Sequence, residues 1–333
     1  MLPSFSIASI LPVRAAWCGA LALLAWSHAL AQPDSYPIKP ITIVVGYPAG
    51  GSTDLTGRVL GLELSKKLGV PVVIDNVGGA GGAIGAQKVA NANAAADGYT
   101  LLVGASNEIA ISRLVSSSVK YDIKDFTPIG LIATQPMVLV ASQKSGVKTV
   151  DQFIRQVSQN PGRFSYGSSG VGTALHLAGE MVKDQGGLFM THIPYRGVAP
   201  LANDLLGNNI DFGVFVMSSG LPHIRSGKVV ALGTTEVKRS PMTADIPALA
   251  ETPKLKGIDI NIWFALMGPA RMPEPVVAKL KKALNDSLQT IELRKKLEDS
   301  GSTVSLLNVD MPGFLKQETE KYQRIVDFAK IKE

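Results

Sequence analysis

The chain has 333 residues, 33 Lys+Arg against 27 Asp+Glu for a net charge of +6, and a single Cys. Apolar residues at 46% and charged residues at 18% exclude a disordered chain, and the length suits two domains or one large α/β domain. One Cys excludes an internal disulfide framework and a cysteine-based zinc site, the four His lack metal-site spacing, and a modest charge spread along the chain offers no clustered basic face for nucleic acid.

Arg14 is followed by an acid-free apolar stretch, 15–30, that ends in Ala29-Leu30-Ala31. This is the pattern of a secretory leader cleaved after Ala31, so the mature chain is expected to begin at Gln32. The run is short for a membrane span of about 20 residues, and Ser27 and His28 interrupt it. Trp17 before Cys18 argues against a lipoprotein, because a small residue is needed there. The expected product is an exported soluble protein of the Gram-negative periplasm.

Strand–helix alternation then begins. Ile41–Val45 is a β-branched run, as expected of a strand buried on both faces. Leu55, Val59 and Leu62 recur at helical spacing, and Gly69 stops that helix. Strands are expected over 70–74 and 99–103, with an Ala-rich helix after Gly78-Gly79-Ala80-Gly81-Gly82. Repeated β-loop-α units argue for parallel sheets covered by helices on both faces. Further strands are expected over 136–141, 164–166, 192–195, 210–216 and 229–234. Thr149-Val150-Asp151-Gln152 fits a capping box, and Phe153 and Val157 continue that helix on one face. Val277, Leu280, Leu284 and Leu288 form one C-terminal helical stripe; Phe314, Tyr322, Ile325 and Ala329 form another. No flexible linker cuts the chain in two, which argues for two domains joined by two crossings, near 132–136 and 261–266.

Four loops stand where a strand meets a helix. They are Tyr47-Pro-Ala-Gly-Gly-Ser-Thr-Asp54, Gly104-Ala-Ser-Asn107, Tyr166-Gly-Ser-Ser-Gly-Val-Gly-Thr173 and Pro194-Tyr-Arg-Gly197. Such loops lie at the carboxyl ends of strands, where open α/β sheets bind ligands. Glycine admits a ligand close to the backbone, the following helix offers unpaired N–H groups, and Ser and Thr add neutral donors. Together these suit a carboxylate. Asp54 is placed to orient its loop or to accept from a ligand amine, Arg196 to pair with a carboxylate, and Tyr47 and Tyr195 to wall the cleft. Asp211 is placed to hold a neighbouring loop.

Enzyme motifs fail on the same residues. Ser52 and Thr53 follow Gly46-x-x-x-x-Gly51 where a phosphate loop requires Lys. Val171 stands where a nucleophile elbow needs Gly. His176 lies one turn into the helix after Ser168-Ser169, and His192 and His223 show no obvious partners. No catalytic residue, metal ligand or cofactor is assigned.

The loops resemble those of the Bug family, the TctC-type receptors of tripartite tricarboxylate transporters. The resemblance runs through Tyr36-Pro37, Lys39-Pro40-Ile41, Tyr47-Pro48-Ala49-Gly50-Gly51, Thr53-Asp54 and Gly79-Ala80-Gly81-Gly82 with Ile84-Gly85-Ala86. It continues through Asp97-Gly98-Tyr99-Thr100, Phe126-Thr127-Pro128-Ile129, His176-Leu177-Ala178-Gly179-Glu180 and Pro194-Tyr195-Arg196-Gly197. It implies a type II periplasmic-binding-protein fold, two doubly wound α/β domains with a ligand cleft between them: 36–133 plus 262–333, and 134–261. It further implies a non-catalytic receptor that delivers a small carboxylate, an organic acid or amino acid, to membrane subunits of such a transporter. Motif by motif, the ligand residues are Tyr47, Gly51, Ser52, Thr53 and Asp54 from the first loop and Ser106 and Asn107 from the third strand. Ser168, Ser169 and Thr173, with Tyr195 and Asp211 nearby, come from the second domain. Tyr47 stands where the family has Phe, and Ser52 where Pro is common. Separate hinge motion implies a monomer. Two other readings stay open: an enzyme on the same fold, with His176, Asp54 or Asp211 as acid/base candidates, and a sensing module for a membrane kinase.

Overall fold

The computed structural model describes residues 36–92 and 96–331. The leader and its cleavage site lie outside the described residues. Residues 36–38 belong to an N-terminal unit of their own, and the account below concerns the compact unit that begins at Lys39.

Strand β1 (Ile41–Val45) runs parallel to β2 (Val72–Asn76) on one side and to β3 (Thr100–Ala105) on the other. Helix α1 (Ser52–Leu68) returns the chain from β1 to β2 and ends on Gly69 at φ 72°, a left-handed position that suits glycine. Val59, Leu60 and Leu64 form its buried face, whereas Leu62 is 50% exposed. Helix α2 (Ala83–Ala90) then leads toward β3.

Strand β4 (Phe126–Ser142) is 17 residues long, far beyond the six expected at its end. From Phe126 to Pro136 it pairs antiparallel with β9 (Asn261–Pro269), and from Met137 to Ala141 with β7 (Phe212–Val216). Beside β7 lie β5 (Ser165–Ser168) and β6 (Thr191–Pro194), all parallel. Strand β8 (Val229–Thr234) pairs antiparallel with the last part of β4, and the short β10 (Thr303–Val304) pairs antiparallel with its middle, at Ala133 and Thr134. The sheet is therefore mixed: parallel sets β2-β1-β3 and β7-β5-β6 are bridged by antiparallel β9 and β4. Strand β9 was expected only as a crossing, and the change of partner along β4 falls between Pro136 and Met137.

The helices cover this sheet. Helix α3 (Val150–Gln159) starts at Thr149, whose Oγ1 accepts from Gln152 N–H at 3.2 Å. The return bond of the expected capping box shifts by one residue, because Gln152 Oε1 accepts from Lys148 N–H at 2.8 Å. Helices α4 (Ala174–Gly186), α5 (Val198–Leu206) and α6 (Met217–Arg225) follow β5, β6 and β7. The C-terminal helices are α7 (Glu274–Leu288), α8 (Ile291–Asp299) and α9 (Met311–Ala329). Val277, Leu280, Leu284 and Leu288 are buried, as the spacing requires. Each contributes roughly 1.5–3 kcal/mol by leaving water. On α9, Tyr322 and Ile325 are buried, and Phe314 meets Trp263 of β9 edge-on at 5.4 Å. Among the described residues no helix is long and apolar enough to cross a membrane.

Candidate functional site

The carboxyl ends of β1, β3, β5 and β6 carry the four loops. The first is locked from below by Asp54. Its Oδ2 accepts from Gly50 N–H at 2.8 Å and Arg58 Nε at 3.0 Å, and its Oδ1 faces Arg58 Nη2 and Asn76 Nδ2, each at 2.9 Å. Burial alone would raise this carboxyl, but the bonds from Arg58, Gly50 N–H and Asn76 outweigh it and lower its pKa. With both oxygens engaged, Asp54 holds the loop and is not free to accept from a ligand. Asn76 Nδ2 also donates to Tyr47 O at 2.9 Å, so β2 fastens the same loop. Helix α1 then opens at Gly51 with no side-chain cap. Its first turn, Ser52 and Thr53, offers N–H groups and hydroxyls, the donors a carboxylate needs.

The glycine-rich stretch 78–82, expected only to lead into a helix, packs against the end of β1. A Cβ on Gly46 would lie 2.7 Å from Gly82 O, and one on Gly85 would lie 2.8 Å from Gly46 Cα. The glycines let this loop and α2 lie directly against the end of β1.

After β3 the backbone turns at once into a π-helical turn, Asn107–Ile111, so Ser106 and Asn107 are buried at its start and not on an open loop. Asn107 reaches both ways. Its Oδ1 accepts from Ala174 N–H at 2.8 Å, and its Nδ2 donates to Tyr47 Oη at 3.2 Å. Beneath Tyr47 stands Glu108, fully buried, with Oε2 2.7 Å from Tyr47 Oη and Oε1 accepting from Ala105 N–H at 2.6 Å. Burial pushes its carboxyl up to about 7 despite those bonds. Sequence reasoning missed Glu108. The available signal was an acid standing alone in the apolar run 101–111.

In the loop after β5, Ser168 is fully buried and Thr173 nearly so, while Ser169 is half-buried. Ser169 Oγ donates to Thr173 Oγ1 at 3.3 Å, and Thr173 Oγ1 caps α4 by accepting from His176 N–H at 3.4 Å. His192 does have partners. Its Nε2 lies 2.7 Å from Ser168 Oγ, and its ring is stacked between Tyr166 (4.9 Å) and His176 (3.9 Å). His176 Nδ1 accepts from Gly172 N–H at 3.1 Å. Burial lowers His176 to about 4 and, with the neighbouring His176, lowers His192 to about 3. A Ser–His contact of this length has the reach of a nucleophile and its base. Here the serine is buried, burial favours the neutral imidazole, and the contact ties the loop after β5 to β6.

Tyr195 is half-buried and turns its hydroxyl away, donating to Asp204 Oδ2 on α5 at 2.7 Å. Arg196 is exposed at the turn. Asp211 stands at the other end of the strands. Its Oδ2 accepts from Ser165 N–H at 2.8 Å, where β5 begins, so it aligns β5 and β7 and lies apart from the loops. The structure therefore brings Tyr47, Asn107 and the start of α4 together. Asp54 and Asp211 serve as fasteners. Among the described residues no group of His, Cys, Asp and Glu could hold a metal ion.

A family model for the tripartite tricarboxylate transporter family receptor matches residues 56–330. BugT of Bordetella pertussis is 33% identical over 296 residues, 88% of this chain and 90% of BugT. The solved structure of the periplasmic binding protein BugD superposes with a TM-score of 0.80 at 32% identity, covering 89% of this chain and 99% of BugD. The structure of R. palustris Rpa4515 with adipate superposes with a TM-score of 0.83 at 30% identity, over 89% of this chain and 99% of that one.

Proposed function

The chain belongs to the family of tripartite tricarboxylate transporter receptors, with the Bug proteins, and on that premise we propose that it captures a small carboxylate and delivers it to transporter subunits in the membrane. Its α/β fold with a mixed sheet is that of the periplasmic binding proteins of this type. The observation that carries the proposal is the first turn of α1. It is locked in place by Asp54, has no side-chain cap and is flanked by Ser52 and Thr53. Neutral donors fixed before binding suit an anion such as the adipate held by Rpa4515. Tyr47, Gly51, Ser106, Asn107, Ser168, Ser169, Thr173 and Tyr195 complete the proposed surroundings, with Asp54 and Asp211 acting on the loops and strands beneath.

The cleft is proposed to separate two lobes, 36–133 plus 262–333 and 134–261. The change of strand partner between Pro136 and Met137, opposite Asn261, supports crossings at those places. Closure around ligand is the event a membrane partner would read. The receptor works as a monomer, without catalysis or cofactor, in the periplasm after cleavage behind Ala31.

A thermal-shift screen of mono-, di- and tricarboxylates tests this. A carboxylate at 100 times its dissociation constant should add roughly 2.7 kcal/mol of stability. A screen with no responding carboxylate overturns the proposal, and chemical change of a bound one on long incubation overturns its non-catalytic part.

A further inference from the structure

Glu108 is absent from every functional reading of the loops, yet it sits where they meet. Tyr47 Oη, from the loop after β1, lies 2.7 Å from Gly81 O and 2.7 Å from Glu108 Oε2, and it receives Asn107 Nδ2 at 3.2 Å. The protons at this oxygen can be counted. A phenol carries one proton and two acceptor sites, and a carbonyl never donates. If Glu108 is ionised, Tyr47 faces two pure acceptors with a single proton, and one of the two 2.7 Å contacts is bare oxygen against oxygen. If Glu108 is protonated, every contact is a hydrogen bond. Glu108 donates to Tyr47 Oη, Tyr47 donates to Gly81 O, and Asn107 Nδ2 fills the second acceptor site.

The surroundings agree. Glu108 is 0% exposed, and a Cβ on Gly82 would lie 2.9 Å from its carboxyl carbon, so the 79–82 loop closes directly over it. The titratable side chains facing it are Tyr47 and Tyr121, whose Oη donates to Glu108 O at 2.6 Å. Both are held neutral by burial and by the adjacent acid, so neither supplies a positive charge to balance a carboxylate. Through Asn107, whose Oδ1 holds Ala174 N–H, the same cluster reaches the start of α4.

We propose that Glu108 is a positioning residue that works as a neutral carboxylic acid: its proton fastens the loops 46–51, 79–82 and 105–112 to one another, and its ionisation loosens them and weakens carboxylate capture. The second half of this statement rests on the receptor reading above. The first half does not, and the experiment separates them.

Infrared spectra of the ligand-free protein against Glu108→Gln are expected to show a buried carboxylic-acid band at pH 6 that fades by pH 9. The difference isolates this group from Glu236, which burial also raises. Amide exchange in 79–82 and 105–112, corrected for its intrinsic pH dependence, should quicken over the same range in the wild type and not in E108Q. Adipate, fully ionised throughout, should bind the wild type at least fivefold more weakly at pH 8.5 than at pH 6.5, with a midpoint matching the infrared band. E108Q, a permanent mimic of the neutral acid, should lose that pH dependence. An ionised Glu108 at pH 6, or a pH dependence that survives in E108Q, overturns the proposal. Should E108Q fail to fold, disagreement between the infrared and exchange midpoints of the wild type does the same. Failure of adipate and the other carboxylates to bind at any pH overturns the receptor reading, while the infrared and exchange data still decide the role of Glu108.

Discussion

Two stacked imidazoles support the loop after β5, and each works only when neutral. His176 Nδ1 must be unprotonated to accept from Gly172 N–H, and a charge on either ring would repel the other at 3.9 Å. In the unfolded chain both take up protons near pH 6.5, whereas in the fold they wait until about 4 and about 3. Between those limits the unfolded chain holds more protons. Their contribution is therefore intact above pH 6.5 and is lost as pH falls. Glu108 has the opposite sign. Raised from 4.5 to about 7, it holds its proton in the fold while the unfolded chain has lost it, so stability falls as pH rises through that window. Urea denaturation of His192→Gln at pH 7 and pH 4.5 should separate the two slopes. On acidification the variant should lose about 1–2 kcal/mol less than the wild type, a figure already reduced for the partial exposure of His192. Equal losses would mean that His192 is not held neutral. Neither effect was legible beforehand. The sequence shows His176 and His192 sixteen residues apart, and only the parallel register of β5 with β6 puts His192 beside Tyr166 and Ser168.

At the scale of elements, the parallel strands were legible and the bridging ones were not. Ile41–Val45 announces itself because a β-branched run buried on both faces needs no knowledge of its partner. Strand β4 conceals its first half behind Pro128, Gly130 and Pro136, residues that normally interrupt strands. It tolerates them because its register shifts at Pro128/Gly130 and again at Leu131/Ala133, and because Pro136 falls where it exchanges β9 for β7. Its partner β9 lies more than a hundred residues away, so no local pattern could reveal the pairing. The 79–85 segment was legible only as the approach to a helix, and the close backbone contact that Gly85 makes with Gly46 was not. Gly85→Ala tests this. Its Cβ would sit 2.8 Å from Gly46 Cα and 3.0 Å from Val77 O, against backbone that cannot turn aside. Overpacking of this kind should cost about 2–3 kcal/mol, read as a lower urea midpoint with an unchanged slope. A neutral result would show that β1 and α2 have room to separate.

For the whole molecule, the question is which contacts join the two proposed lobes. Gln135 lies at the change of partner along β4 and is 1% exposed. Its Nε2 donates to Ser302 Oγ at 2.9 Å and Ser300 O at 3.0 Å, and its Oε1 accepts from Ser218 Oγ at 3.0 Å. Those bonds tie α6 to the segment after α8 at the point where β4 changes partner, the crossing of the proposed two-lobe division. Asn107 acts elsewhere, since it bonds Tyr47 on one side and the first N–H of α4 on the other. On the proposed two-lobe reading, a single amide at that position contributes little to folding, because truncation leaves groups that water reaches when the lobes part. In the proposed two-lobe receptor its part is in closure, because it links the loop after β3 to the start of α4. Asn107→Ala should therefore shift the thermal midpoint by no more than about 2 °C, yet weaken binding of a carboxylate that responds in the thermal-shift screen roughly tenfold, the equivalent of about 1.4 kcal/mol. Calorimetry beside a melting curve distinguishes the two effects. A large loss of stability with unchanged affinity would make Asn107 a core residue, and the contact between its loop and α4 would then have no part in capture.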